Sequence, residues 1–274
     1  MTQPSSTHTE RPPAVAGAFY PAAADVLRRD IAELLASQSV DSSRAPKAIV
    51  VPHAGYVYSG AVAAVAYACL RVAAADIRRV VLVGPSHRVA FHGLAVPTVD
   101  AFATPLGNVP IDAALRREAL SQRAVITSDR AHRFEHSLEV QLPFLQTVLR
   151  DFTLLPLVAG DASPEDVASV LDRVWGGPET LLVVSTDLSH FLDYPSARVR
   201  DAATSRQILA LATDLGGEDA CGCVGLNGFL LAARRRELAP RAIAQCNSGD
   251  AAGDRHRVVG YGAFAFYESD DVAR

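Results

Sequence analysis

The sequence predicts an α/β fold: a single domain with a central, mainly parallel or mixed β-sheet flanked by helices. Three apolar runs of strand length, 48–51, 79–84 and 180–185, are typical of fully buried strands, and helical segments alternate with them. A Gly- and Asp-rich loop joins two further strands, 241–246 and 258–267, which predicts an antiparallel portion at the C-terminal end. With 274 residues and 49% hydrophobic content, the chain can bury one large core.

The other elements follow from hydrophobic periodicity and capping signals. Leu27, Ile31 and Leu35 recur at helical spacing and predict a helix over 24–38. Ser59 is the predicted N-cap of an apolar helix. Further predicted elements are, in order, a strand over 92–98, a turn-rich stretch over 105–110, a helix over 112–122, a strand near Val125, a helix over 137–149, a strand over 152–158, a helix that begins at Ser163, a helix over 195–213 and an apolar helix that ends at Ala233.

Composition sets the domain bounds and excludes two classes of partner. The predicted domain spans 14–268, between a flexible polar N-terminal tail, 1–13, and a C-terminal tail, 269–274. The net charge of -4 comes from interspersed charges without a basic, aromatic-rich stripe, so no nucleic-acid partner is expected. Without an apolar stretch of roughly 18 uninterrupted residues, no membrane association is expected and the predicted location is cytoplasmic. Four cysteines in a reducing compartment indicate metal binding or thiol chemistry rather than a disulfide framework.

Three histidines, His53, His87 and His190, each follow a predicted buried strand within six residues. One such histidine is commonly a hydrogen-bonded residue at the sheet edge. Three of them favour metal binding over a hydrogen-bonding role, because the carboxyl ends of parallel strands meet at one edge of the sheet. Neutral imidazoles that converge there form a transition-metal site. The sequence therefore predicts metal ligands at this edge.

Cys221 is the predicted thiol ligand, because it lies on the loop that opens an apolar helix, where the helix N-terminus favours a thiolate. Cys223 is the alternative, although a side chain at that position can face into the helix packing. A set of histidines with one cysteine suits Zn, Fe(II) or Cu, so these residues leave the metal open.

Acidic and polar residues near the strand ends complete the candidate site. Glu135, His136 and Asp187 are predicted to orient a ligand or transfer a proton, with helix or turn capping as the alternative reading of the two acids. Tyr56 and Ser86 flank the first two histidines and are predicted to line the pocket.

Two other residues are assigned no role in the site. In the capping reading of residues 135–139, Glu139 lies on a solvated helix face, and His132 is expected at the surface or in a turn.

Several motifs occur in a fixed order along the chain: Pro52-His53-Ala54-Gly55-Tyr56, Gly84-Pro85-Ser86-His87, Glu135-His136-Ser137-Leu138-Glu139 with Leu142-Pro143-Phe144, Ser185-Thr186-Asp187-Leu188-Ser189-His190, Cys221-Gly222 and Gly260-Tyr261-Gly262-Ala263-Phe264. Together they resemble the MEMO family, whose prokaryotic members are called AmmeMemoRadiSam system protein B. The likeness runs from about Gly17 to Glu268, nearly the whole chain.

The resemblance implies a fold like that of the class III extradiol non-haem iron dioxygenases. It implies a pocket in which His53, His87, His190 and Cys221 hold a transition metal ion, with Fe(II) expected first and Cu or Zn as alternatives. It also implies radical SAM and AMMECR1-like proteins as partners, and a small-molecule or peptide ligand.

Two functions are compatible with these observations. The first is a non-haem metal-dependent oxidoreductase of dioxygenase-like ancestry and unknown substrate. The second is a non-catalytic peptide- or protein-binding module that retains the pocket, since one fold can host unrelated functions. The resemblance implies the Cys221 thiolate where the extradiol dioxygenases use a glutamate ligand to iron. This replacement changes the electronics of iron and argues against ordinary extradiol chemistry. The favoured prediction is a metal-binding protein with oxidoreductase activity.

Overall fold

A computed structural model describes residues 9–40, 44–251 and 253–269. Its centre is a nine-stranded mixed β-sheet with helices on both faces, which confirms the predicted α/β class. Residues 1–8 and 270–274 of the two predicted tails lie outside the described residues.

The strands and helices reproduce most of the predicted elements. In chain order, the strands are β1 (Glu10–Arg11), β2 (Ala48–Val51), β3 (Arg79–Pro85), β4 (Leu94–Val96), β5 (Ala101–Thr104), β6 (Gly107–Pro110), β7 (Val125–Thr127), β8 (Thr153–Ala159), β9 (Thr180–Ser185), β10 (His190–Leu192), β11 (Ala239–Asn247) and β12 (Val258–Tyr267). The helices are α1 (Ala24–Ala36), α2 (Tyr56–Ala68), α3 (Ala113–Leu120), α4 (Asp129–Arg133), α5 (Leu142–Val148), α6 (Pro164–Val174), α7 (Tyr194–Leu209), α8 (Cys223–Arg235) and α9 (Ser248–Ala251).

The large sheet has the strand order β10, β12, β2, β9, β3, β8, β4 and β7, and β11 also pairs with β12. The central strands β2, β9, β3 and β8 are parallel, so their carboxyl ends lie at one edge. At the C-terminal end, β11 and β12 pair antiparallel, as predicted. A separate three-stranded sheet contains β1, β5 and β6, and its hairpin occupies the stretch predicted as turn-rich.

Each face of the large sheet carries its own hydrophobic core. On β2, Ile49 and Val51 belong to the core that includes residues of α1, α2 and α5, whereas Ala48 and Val50 belong to the core built with α6 and α8. This alternation follows from the two-residue period of a strand. With both faces covered, the strands are continuous apolar runs, and only their ends offer polar side chains to a site.

Part of the predicted flexible N-terminal tail is packed on the domain. Strand β1 pairs with β5, and Arg11 is 4% exposed. The Arg11 guanidinium forms a buried ion pair with Glu139 at 2.8 Å and donates to the carbonyl oxygens of His132 and Glu135. The expectation of a solvated Glu139 was therefore wrong, because local periodicity cannot reveal an arginine 128 residues away. His132 is also buried, contrary to expectation.

The apolar helix that follows β2 starts earlier than predicted. Helix α2 begins at Tyr56 with Gly55 at the N-cap position, and the Ser59 hydroxyl donates to the carbonyl of Ala54 at 3.0 Å. The predicted Ser59 cap was therefore wrong. Within the described part of the chain, the helical stretch Tyr56–Ala73 is long and apolar enough to cross a membrane, but 56% of it is buried inside the domain, as in a core helix.

Candidate metal centre

The parallel strands bring the predicted histidines to one edge of the sheet. Val51 and Ser185, the last residues of β2 and β9, are partners in register, and β9 also pairs with β3. His53 therefore lies next to Asp187, and its backbone N–H donates to the Asp187 Oδ1 at 2.7 Å. His87 follows β3 at the same edge, and the ring centroids of His53 and His87 are 5.2 Å apart.

His136 completes a cluster of three imidazoles. The potential ligand atoms of His53, His87 and His136, here called the histidine cluster, all lie within 4.8 Å of one another. The His136 ring centroid is 4.8 Å from that of His87 and 5.5 Å from that of His53. The structure thus groups His136, predicted as an orienting residue, with two of the predicted metal ligands.

Cys221 lies beside the histidine cluster. Its Sγ is 3.3 Å from the His53 Nε2 and 3.3 Å from the backbone nitrogen of Asp187, which donates to it. The loop that carries Cys221 passes close to β9 at Gly222. A Cβ added to this glycine would lie only 2.8 Å from the Ser185 carbonyl oxygen. By contrast, Cys223 begins α8 and packs against the hydrophobic core. The sulfur that the structure brings to His53 is that of Cys221.

Glu135 orients the ring of His87. The Glu135 carboxylate accepts hydrogen bonds from the backbone nitrogens of His87, His136 and Ser137 and lies 2.9 Å from the His87 Nδ1. Burial opposes ionisation of Glu135, but the hydrogen bonds and charge of His87 outweigh it and lower the pKa to about 2. Because an ionised carboxylate only accepts, the His87 Nδ1 carries a proton, and Nε2 is the ring nitrogen left to bind a ligand.

Two imidazoles of the cluster are held neutral by burial. Burial lowers the pKa of His53 well below its ordinary value, and the neighbouring His87 and His136 lower it further. Burial likewise lowers the pKa of His136 to about 4. Neutral imidazole is the form that binds metals.

Asp187 and Cys221 are the proton-bearing groups beside these rings. Burial raises the pKa of Asp187 to about 7, despite the backbone amides that donate to it, so its carboxyl group exchanges a proton near neutral pH. Its Oδ2 is 3.9 Å from the His53 Nε2. Burial and the charge of Asp187 raise the pKa of the Cys221 thiol to about 12. The expected thiolate was therefore wrong for the protein without a metal, because burial outweighs the helix N-terminus, and a metal that binds this sulfur displaces a proton.

The other predicted site residues lie outside the histidine cluster. His190 is half-buried, and its Nδ1 is 2.9 Å from the carbonyl oxygen of Leu188. Ser86 donates its hydroxyl to the carbonyl of Val89 at 2.6 Å. Tyr56 is 8% exposed and donates to the carbonyl of Val140, so its side chain is part of the packing under the site.

The residues present fit a transition metal ion. The His136 Nδ1 is buried and has no hydrogen-bond partner among the described residues, with the Glu135 Oε1 3.4 Å away. A buried nitrogen without a hydrogen-bond partner destabilises the folded protein unless a ligand binds to it. Three imidazoles and a thiol form a donor set typical of Zn, Fe and Cu sites.

Two buried polar residues beneath His53 were not predicted from the sequence. Ser185 and Gln141 are both fully buried, and the Ser185 Oγ lies 2.9 Å from the His53 Nδ1. The available signal was a polar residue at the end of an otherwise apolar strand, at Ser185. Gln141 gave no such signal, because its partners are distant in sequence.

Comparison with known proteins agrees with the family resemblance of the motifs. A family model described as Memo-like protein matches residues 11–265. A MEMO1 family protein of Aquifex aeolicus is 35% identical over 266 residues, which cover 92% of this chain and 97% of that protein. MEMO1 family proteins of Methanosarcina barkeri and Metallosphaera sedula are 36% and 31% identical, over 92% and 94% of this chain and 98% and 99% of their own lengths. On these matches, the chain belongs to the MEMO family.

Proposed function

We propose that the protein is a metal-dependent oxidoreductase that holds Fe(II) or copper at the histidine cluster and acts on a small-molecule or peptide substrate. The observation that carries the proposal is the 3.3 Å approach of the Cys221 Sγ to the His53 Nε2, because it adds a soft sulfur donor to converging imidazoles. His53, His87, His136 and Cys221 would hold the ion. When bound, iron or copper supplies electron transfer and Lewis acidity.

The surrounding carboxylates support this proposal through separate roles. Glu135 holds the His87 ring by its Nδ1 and by the backbone nitrogen of the same residue, so the imidazole is oriented before any ligand arrives. Asp187, with a pKa of about 7, can donate or accept a proton at Oδ2 beside His53. Orientation and proton transfer are what a reacting substrate needs from the protein.

Oxygen uptake by the metal-loaded protein tests the proposed activity. Protein loaded anaerobically with Fe(II), copper or Zn(II) is transferred to an oxygen electrode with a panel of electron donors: ascorbate, thiols, catechols and tyrosine-containing peptides. We expect uptake above that of the free ion with iron or copper, none with Zn(II), and loss of uptake in His87→Ala. His92→Ala is the matched control, because the His92 side chain is 92% exposed and lies apart from the cluster.

A different result would favour the binding-module function. If the protein retains iron or copper but takes up no oxygen with any donor, the oxidoreductase proposal fails. Metal-dependent retention of a peptide, without turnover, would then assign the pocket to recognition.

Radical SAM and AMMECR1-like proteins are proposed partners on the basis of the family resemblance alone. Co-purification of the tagged chain with either protein tests this, and His87→Ala shows whether the association depends on the pocket.

A further inference from the structure

A chain of buried hydrogen bonds runs from the hydrophobic core to His53. The Tyr67 hydroxyl lies 2.9 Å from the Gln141 Oε1, and the Gln141 Nε2 lies 2.9 Å from both the Pro52 carbonyl oxygen and the Ser185 Oγ. The Ser185 Oγ is in turn 2.9 Å from the His53 Nδ1. All the side chains in this network are at most 2% exposed, so water does not compete for these contacts.

The direction of each bond follows from what each atom can donate. The Pro52 oxygen can only accept, so the Gln141 atom beside it must be the NH₂ group, and the amide oxygen must face Tyr67. The two Gln141 hydrogens are then used by Pro52 and Ser185. In the flipped amide, the Gln141 oxygen would face the Pro52 carbonyl oxygen, and neither atom can donate a hydrogen bond.

The Ser185 hydroxyl has one hydrogen, and its use is also determined. The Ser185 Oγ lies 2.6 Å from the carbonyl oxygen of Ser137, which can only accept, so the hydroxyl hydrogen points there. Ser185 therefore accepts from Gln141 and has one lone pair left for His53. The His53 Nδ1 must be the donor.

We infer that Ser185, held in direction by Gln141, is a positioning residue that fixes His53 as its Nδ1–H tautomer. The unprotonated Nε2 then faces Cys221 and the histidine cluster. The opposite tautomer would place a hydrogen where a metal would bind and leave two lone pairs facing each other at Ser185. The inference deepens the proposed function and rests on it for the metal, but the tautomer is a property of the protein itself.

Nuclear magnetic resonance of the histidine ring nitrogens measures the tautomer directly. In chelator-treated ¹⁵N-labelled protein, with His53→Gln used for assignment, we expect His53 to be the Nδ1–H tautomer. In Ser185→Ala we expect a shift toward Nε2–H, because Nδ1 loses its acceptor. Ser185→Thr keeps the hydroxyl and should restore the wild-type tautomer.

Ser59→Ala is the matched control. Ser59 is 1% exposed and donates its hydroxyl to the Ala54 carbonyl near the same loop, and within the described residues it makes no hydrogen bond to the His53 ring. This variant removes the same atom from a similar environment and should leave the tautomer of His53 unchanged.

Metal affinity gives the second readout. With Co(II) as the probe, we expect binding about 10- to 100-fold weaker in Ser185→Ala than in the wild type, the range found when residues that orient metal ligands are removed. Ser59→Ala should bind as the wild type does.

The two readouts separate the inference from the proposed function. An Nε2–H tautomer in the wild type, or an unchanged Nδ1–H tautomer in Ser185→Ala, would overturn the inference. If the tautomers behave as expected but the wild type binds no metal, the role of Ser185 stands and the proposed metal site fails. If Ser185→Ala does not fold, the wild-type and Ser185→Thr spectra still decide the tautomer.

Discussion

The Oε1 of Glu135 lies 2.9 Å from the His87 Nδ1, while its other carboxylate oxygen accepts from the backbone nitrogen of the same histidine at 2.6 Å. One acid thus fixes both the main chain and the ring of a proposed ligand. The same carboxylate accepts from the backbone nitrogens of His136 and Ser137, so the capping role that the sequence left open as the alternative is present beside the contacts to His87.

Replacing Glu135 with glutamine tests this contact. The amide keeps the size of the side chain but has one accepting oxygen for the donors that the carboxylate now serves. We expect metal affinity to fall about 10- to 100-fold and the free energy of unfolding to fall by about 2 kcal/mol. Calorimetric titration and urea denaturation measure the two effects. Glu165→Gln, at an exposed position of α6, should change neither quantity.

The thiol prediction distinguishes Cys221 from Cys223. Because the Cys221 pKa is about 12, metal binding at neutral pH must release its proton. We expect calorimetry in buffers of different ionisation enthalpy to show one proton fewer released by Cys221→Ser than by the wild type, together with loss of the sulfur-to-Co(II) absorption band. Cys223→Ser should match the wild type. The reverse pattern would assign the sulfur ligand to Cys223.

The buried His132 predicts a loss of stability in mild acid. Burial lowers its pKa in the folded state from 6.5 to about 4, so between these values the unfolded chain binds more protons and stability falls as pH falls. Asp187, whose pKa is raised to about 7, opposes this trend in the same window. A comparison with His132→Gln isolates the contribution of the histidine. Between pH 6.5 and about 4, the free energy of unfolding of the wild type should fall by about 3 kcal/mol more than that of the variant. If urea denaturation shows the same loss of stability in the wild type and in His132→Gln, the lowered pKa of His132 is contradicted.

The ion pair of Arg11 with Glu139 predicts that the N-terminal segment stabilises the domain. Arg11→Met leaves the Glu139 carboxylate, 0% exposed, without its cation, and breaking a buried pair in this way costs about 3 to 5 kcal/mol. Urea denaturation should show this loss. Arg28→Met, at an exposed position of α1, should leave stability within about 0.5 kcal/mol of the wild type.

Much of the fold and part of the site followed from local patterns. The apolar runs placed β2, β3 and β9 within one or two residues, and the parallel arrangement explains why His53, His87 and Asp187 meet. These inferences succeed because a strand buried on both faces has polar residues only at its ends.

The contacts that sequence reasoning missed are long-range pairs between buried polar groups. Glu139 with Arg11 and Gln141 with Ser185 join residues 128 and 44 positions apart. Nothing in the local periodicity distinguishes such a residue from a solvated one, because periodicity reports which face of an element is apolar and not what lies against it.

Metal analysis of the purified protein tests the central claim most directly. Protein prepared anaerobically without chelators is measured for iron, copper and zinc, beside His53→Ala, His87→Ala and the exposed control His92→Ala. We expect near-stoichiometric iron or copper in the wild type and in His92→Ala, and its loss in the two cluster variants while they remain folded. A wild type that holds no metal, even after reconstitution with each ion, would contradict the assignment of the histidine cluster as a metal centre.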